Sequence, residues 1–126
     1  MKQGFLLTAA VFGFIGVGMG AFGAHGLKPL FSEYQLEVYK TGVNYQMWHA
    51  LLLGIFSLLP EHKLLQWAGW CLIVGIVLFS GSLYLLALSA PRWIGIITPF
   101  GGLSLLLAWG LFAWVAFQMR RTQEHG

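Results

Sequence analysis

Read from the amino terminus, the chain alternates long apolar stretches with short polar breaks. One uncharged stretch runs from Gly4 to Ala24. A second covers about Val43 to Leu59 and stops at Pro60. A third runs from about Leu64 to Ser89, ahead of Pro91 and Arg92, and a fourth from about Trp93 to Met119, closed by Arg120 and Arg121. Crossing the hydrocarbon of a bilayer takes about 20 apolar residues in a helix. The pattern therefore predicts four spans, residues 4–24, 43–59, 64–89 and 93–119, within a single membrane domain covering 1–126. The fourth is longer than a perpendicular crossing needs, so a tilt, or a bend near Pro99, is expected. There Pro99 would leave one backbone carbonyl without its usual donor. The start of the first stretch has the look of a secretory signal, with Ala21-Phe22-Gly23 as a small-residue cleavage site. It exceeds the usual signal core of about 7–15 residues, so we read it as a retained span.

The connector from His25 to Gly42 is the longest polar segment. Ser32 and Gln35 have the spacing of a capping box, and Phe31 and Leu36 that of a hydrophobic staple. A short helix is expected from about Glu33, with Glu33, Glu37, Lys40 and Asn44 on one stripe, lying at the membrane interface or acting as a lid over the bundle mouth. The predicted fold is all-α: an integral membrane four-helix bundle with a short amphipathic helix between spans 1 and 2.

Composition agrees with this pattern and narrows it. Hydrophobic side chains make up 58% of the 126 residues and charged ones 9%, where soluble domains carry about 25% charged residues. The mean hydropathy is +0.75. Little chain is left for a soluble catalytic module, a phosphate loop or a nucleic-acid-binding fold, so the net charge of +3 reads as anchoring charge at the lipid surface. The expected partner is the lipid bilayer, together with a membrane-protein partner or a homo-oligomer, and no nucleic acid. With four spans both termini share a side. Lys2, Lys63, Arg120 and Arg121 lie there, against Lys28, Lys40 and Arg92 opposite, a bias that favours cytoplasmic termini. Cys71 is the lone cysteine, read as a small packed helix residue. Trp67, Trp70 and Trp93 sit near span ends, where indole rings favour the headgroup zone.

Alternating crossings bring polar residues from distant parts of the chain to one leaflet, opposite the termini. His25 ends the first span on that outer side. Tyr45, Gln46 and His49 share a face of the second, with His49 about 9 Å below Val43 at the helical rise. Ser80, Ser82 and Tyr84 fall in the outer half of the third span, and Thr98, Gly101 and Gly102 in that of the fourth. Polar groups inside a span default to a functional hypothesis. The binding candidates are His25, Tyr45, Gln46, His49, Ser82, Tyr84 and Thr98. The competing structural reading makes them hydrogen-bonded helix glue. Gly16, Gly20 and Ala24 at steps of four, and Gly75, Gly101 and Gly102, are read as helix-packing positions, Gly75 within the seven-residue seam Ala68, Gly75, Ser82 and Ser89. His62 and His125 are expected to be solvated.

The stretches GAFGAHGL (Gly20 to Leu27), TGVNYQMWHA (Thr41 to Ala50), FSGSLYLLAL (Phe79 to Leu88) and ITPFGGLS (Ile97 to Ser104) resemble, in order and spacing, the YgdD/YwdK-like domain-of-unknown-function family of small membrane proteins. Trp48 departs from the smaller aromatic expected there. The resemblance covers almost the whole chain. It implies a four-helix protein of the bacterial inner membrane and supplies no reaction.

Two principal functions compete: a structural or accessory membrane protein, and a small-molecule or ion binding or transport protein using the outer polar residues. With no Asp or Glu in any span, coupling in the second would rest on histidine titration. A haem or copper site would need His25 and His49 to meet, with Met19 or Met47 adding sulfur. The absence of Asp excludes a Ser-His-Asp triad. The expectation is no enzyme, no cofactor and no bound metal.

Overall fold

The computed structural model describes residues 2–125, with side chains described for 4–124; the side chain of His125 lies outside that range. Helix α1 spans Lys2–Phe22 and widens into a π turn over Gly23–Leu27; α2 spans Glu33–Leu58 and α3 Lys63–Ala87. A 3₁₀ turn over Arg92–Ile96 leads into α4, Ile97–His125. Three helical stretches, Gly4–Leu27, Lys63–Ala87 and Arg92–Glu124, are long and apolar enough to cross a membrane; α2 carries more polar residues. The close pairings follow chain order, α1 with α2, α2 with α3 and α3 with α4.

Large apolar side chains cover the outside. Phe14 is 83% exposed, and Leu7, Leu51, Leu106 and Trp93 are similarly bare. In water such a surface would aggregate; in hydrocarbon it is the correct solvent face. The interior is small. Phe5, Leu52, Leu53, Phe56, Leu65, Leu72 and Val115 form its main cluster toward the terminal side, and Leu27, Tyr39 and Ala87 a second toward the outer side.

The connector differs from expectation in one respect. Helix α2 does begin at Glu33, and the capping box is complete: the Ser32 hydroxyl accepts from the Gln35 amide at 3.1 Å and the Gln35 side chain accepts from the Ser32 amide at 2.9 Å. The helix then runs unbroken to Leu58 through the stretch expected as the second span, so the amphipathic stretch is the opening turns of α2. No Gly-Pro break separates the two, and the β-branched and aromatic residues between them are compatible with helix. Pro99 also behaves differently. It falls in the first turn of α4, directly after the 3₁₀ turn, so the missing N–H coincides with the change from 3₁₀ to α geometry.

At the outer end of α3 the chain closes with paired bonds, Ser89 N–H to Leu86 O at 3.1 Å and Ala90 N–H to Leu85 O at 2.9 Å. This motif puts Ser89 at φ 70°, a conformation that costs an L-residue about 1–2 kcal/mol. The Gln35 side chain fastens the same corner, donating to Ala87 O at 2.9 Å.

Small residues set the helix spacings. A Cβ on Gly101 would overlap the backbone of Phe79, and one on Gly75 the side chain of Leu105, whereas one on Gly102 would make ordinary contact with the Phe79 ring. On α1, Gly16 faces Met47 and Gly20 faces Val43. Ala24, expected to continue that stripe, is exposed, and Gly23 takes its place against the Tyr39 ring. At about 100° per residue, Gly23 is some 20° from the azimuth of Gly16, while Ala24 is some 80° away.

Two outcomes follow for stability in detergent or lipid. Gly101→Ala should destabilise by about 1–3 kcal/mol because backbone must move, while Gly102→Ala should be neutral or stabilising by up to about 1 kcal/mol; equal melting shifts would refute the assigned interface. Ser89→Gly should stabilise by up to about 1 kcal/mol, read as a higher melting temperature, because relief at φ 70° outweighs loss of the exposed 3.3 Å bond from Gln35 to the Ser89 hydroxyl while the Gln35 bond to Ala87 O survives.

Candidate functional site

Gln46, His49, Ser80 and Ser82 are buried and tie the helices together pairwise. Gln46 is the hub. Its amide nitrogen donates to the Phe12 carbonyl of α1 at 2.8 Å, and its oxygen accepts from the Tyr84 hydroxyl of α3 at 2.6 Å. A carbonyl can only accept, so the amide orientation is forced. Three helices meet at one side chain that is 4% exposed.

His49 is equally buried and turns toward α4. Its Nε2 is 3.0 Å from the indole nitrogen of Trp109, which can only donate, and its Nδ1 is 2.6 Å from the Tyr45 carbonyl, which can only accept. The pair of partners selects the neutral tautomer with the proton on Nδ1 and occupies the Nε2 lone pair a metal would need. The Tyr45 ring stacks on the imidazole, with centroids 5.8 Å apart. Because α2 starts at Glu33, His49 lies about 24 Å along the helix, of which about 9 Å is reckoned from Val43. Trp109 lies about 18 Å along α4 from Ile97.

The remaining links follow suit. Ser82 and Thr98 join α3 to α4 at 2.5 Å, Ser80 donates to Gly42 O at 2.7 Å, Ser104 to Cys71 O at 2.7 Å, and Tyr39 to Met19 O at 2.5 Å. Three of these acceptors share a device. Phe12, Met19 and Cys71 each stand four residues before a glycine: Gly16, Gly23 and Gly75. A helical side chain leans over the turn preceding its own Cα, so a residue at that position would cover the carbonyl four residues earlier. Glycine leaves it open to a neighbouring helix. Among the described residues no buried side-chain nitrogen or oxygen lacks a partner.

Of the sequence candidates, Gln46 and Tyr84 meet directly, Ser82 meets Thr98, and Tyr45 meets His49. These are separate contacts around the bundle and do not converge on one cavity. His25 is exposed in the π turn, while His49 is buried deep between α2 and α4, so the two imidazoles do not share a site and the haem or copper arrangement is not assembled. Trp109, Tyr39 and the glycine-exposed carbonyls were missed. A tryptophan at mid-span, away from the headgroup zone its indole N–H favours, was the available signal for the first.

A groove of about 930 Å³ opens between α2 and α4 toward the lipid side, lined by Tyr45, Trp48, His49, Phe79, Trp109 and neighbouring aliphatic residues. The Tyr45 hydroxyl is not among the groups hydrogen-bonded within the described residues.

Gln46→Leu should lower stability by about 1–2 kcal/mol. A double-mutant cycle with Tyr84→Phe should return a coupling of about 0.6–1.7 kcal/mol, measured by equilibrium unfolding in mixed micelles; additive effects would contradict the hub.

Comparison with known proteins returns the same picture of family without activity. Residues 19–102 match the family model described as "Protein of unknown function (DUF423)". A UPF0382 membrane protein of Staphylococcus haemolyticus is 45% identical over 107 residues, covering 83% of this chain and 88% of its own. The UPF0382 membrane protein YwdK of Bacillus subtilis is 43% identical over 110 residues, 83% of this chain and 89% of its own. The UPF0382 inner membrane protein YgdD of Escherichia coli K12 is 40% identical over 119 residues, 92% of this chain and 91% of its own. No solved structure matches. With this coverage and four helices whose exposed faces suit hydrocarbon, the chain belongs to the DUF423 family of membrane proteins, whose molecular function is unknown.

Proposed function

We propose that the protein is a non-catalytic structural or accessory component of the bacterial inner membrane, with both termini on the cytoplasmic side. The observation supporting this is the saturation of its interior polar groups: both nitrogens of His49, both ends of the Gln46 amide and the Ser82–Thr98 pair are engaged within the chain. A catalytic or transport site holds a lone pair, a proton or a hydrated position in reserve for its substrate. The inner-membrane placement draws on the name of the Escherichia coli relative, and the orientation on the four-to-three distribution of basic residues.

A second reading, a binding protein for an apolar small molecule, is favoured by one observation, the aromatic groove between α2 and α4. Crosslinking in native membranes followed by mass spectrometry separates the two. A reproducible membrane-protein partner or second copy is the expected result, and a lone monomer would overturn the accessory reading. In parallel, Zn²⁺ or Cu²⁺ should leave the melting temperature of wild type and His49→Ala equally unmoved; a metal-dependent rise confined to wild type would contradict the engaged imidazole.

A further inference from the structure

The charged end of the bundle carries a feature that the polar links do not use. Between the α2–α3 connector and the last turns of α4 lies a groove of about 1070 Å³. Its lining divides by chemistry. Leu59 and Met119 supply apolar walls, while Arg121, His62, Gln118 and Gln123 bring hydrogen-bond donors. No carboxylate lines it. Among the described residues the ion pair is Arg120 with Glu124 at 3.1 Å, which leaves the Arg121 guanidinium without a carboxylate partner. His62 is oriented by its role as the cap of α3: its Nδ1 accepts from the Leu64 amide at 3.1 Å, so the proton of the neutral ring sits on Nε2 and is available as a donor.

A guanidinium with no carboxylate partner among the described residues, imidazole and amide donors and apolar walls, at the charged end of the bundle, complement a molecule with an anionic phosphate and attached acyl chains. We propose that this groove binds the headgroup of an anionic phospholipid, with Arg121 on the phosphodiester and the first acyl methylenes against Leu59 and Met119. The charge complementarity selects an anionic headgroup over a zwitterionic one, and the apolar walls select a lipid over free phosphate. The site is independent of the accessory role proposed above and fails separately from it.

Native mass spectrometry of the full-length protein, titrated with phosphatidylglycerol, phosphatidylcholine or inorganic phosphate, tests it. Wild type should retain phosphatidylglycerol in preference to phosphatidylcholine, and inorganic phosphate should not compete. Arg121→Gln should weaken phosphatidylglycerol binding by about fivefold or more, with Arg121→Lys in between, because a point charge keeps attraction but loses the forked geometry. Arg92→Gln, at the opposite end, should leave binding unchanged. Arg121 is exposed, so its replacement spares the fold, and circular dichroism checks this. Equal losses in Arg121→Gln and Arg92→Gln, equal retention of both lipids by wild type, or displacement by inorganic phosphate would each overturn the proposal.

Discussion

A polar atom inside hydrocarbon has no water to turn to, and the bundle is organised around that constraint. Each buried polar side chain either bonds within the chain or carries a cost of several kcal/mol. Gln46 meets the requirement most economically. One amide offers a donor to α1 and an acceptor to α3, and the fixed chemistry of the two partners forbids the flipped orientation. Because both bonds need specific distances, they set the relative height of three helices as well as holding them together. Apolar contacts alone cannot do this in lipid, since acyl chains satisfy a leucine as well as another leucine does.

Glycine makes such bonds available. A carbonyl in a helix is already bonded to the amide four residues on and is shielded by the side chain there. Removing that side chain exposes the second lone pair and lets another helix come near enough to use it. Phe12 with Gly16, Met19 with Gly23, and Cys71 with Gly75 show this arrangement against three different donors, Gln46, Tyr39 and Ser104. Close approach and directional bonding therefore have one cause. The small-residue stripe of α1 is a row of windows onto the backbone as much as a packing surface.

Much of the architecture was legible in the sequence because it depends on local rules. The helices follow from length and hydropathy, three of them long and apolar enough to cross a membrane, the start of α2 from the Ser32 and Gln35 spacing, and the close approach at Gly16 and Gly75 from residue size. The errors came where several local rules compete or where a partner is distant. Two steps of four from Gly16 lead to Ala24, but the accumulated rotation carries it off the face, and Gly23 makes the contact. The polar opening of α2 suggested a separate interfacial helix because composition changes there, although backbone geometry does not. His49 was identified as unusual, but its partner Trp109 is 60 residues away, and no spacing rule connects them. Pairing across helices depends on the azimuth of each helix, which a single sequence does not contain.

The two ends of the molecule consequently differ in kind. Hydrogen bonds between side chains and neighbouring helices run from the outer corner at Gln35 to the interior of the bundle at Trp109 and Cys71. The terminal end is filled by Phe5, Leu53, Phe56, Leu65 and Val115, where contacts are dispersive and tolerant of small shifts. Directional bonds specify one register, whereas apolar filling permits neighbouring ones at little cost. The outer half therefore acts as the rigid frame, and the terminal half is where helix ends can adjust to a partner or to lipid without breaking a buried bond. The basic residues Lys63, Arg120 and Arg121 cluster at that adjustable end, which places the surface best able to attract anionic groups on the part of the fold best able to accommodate them.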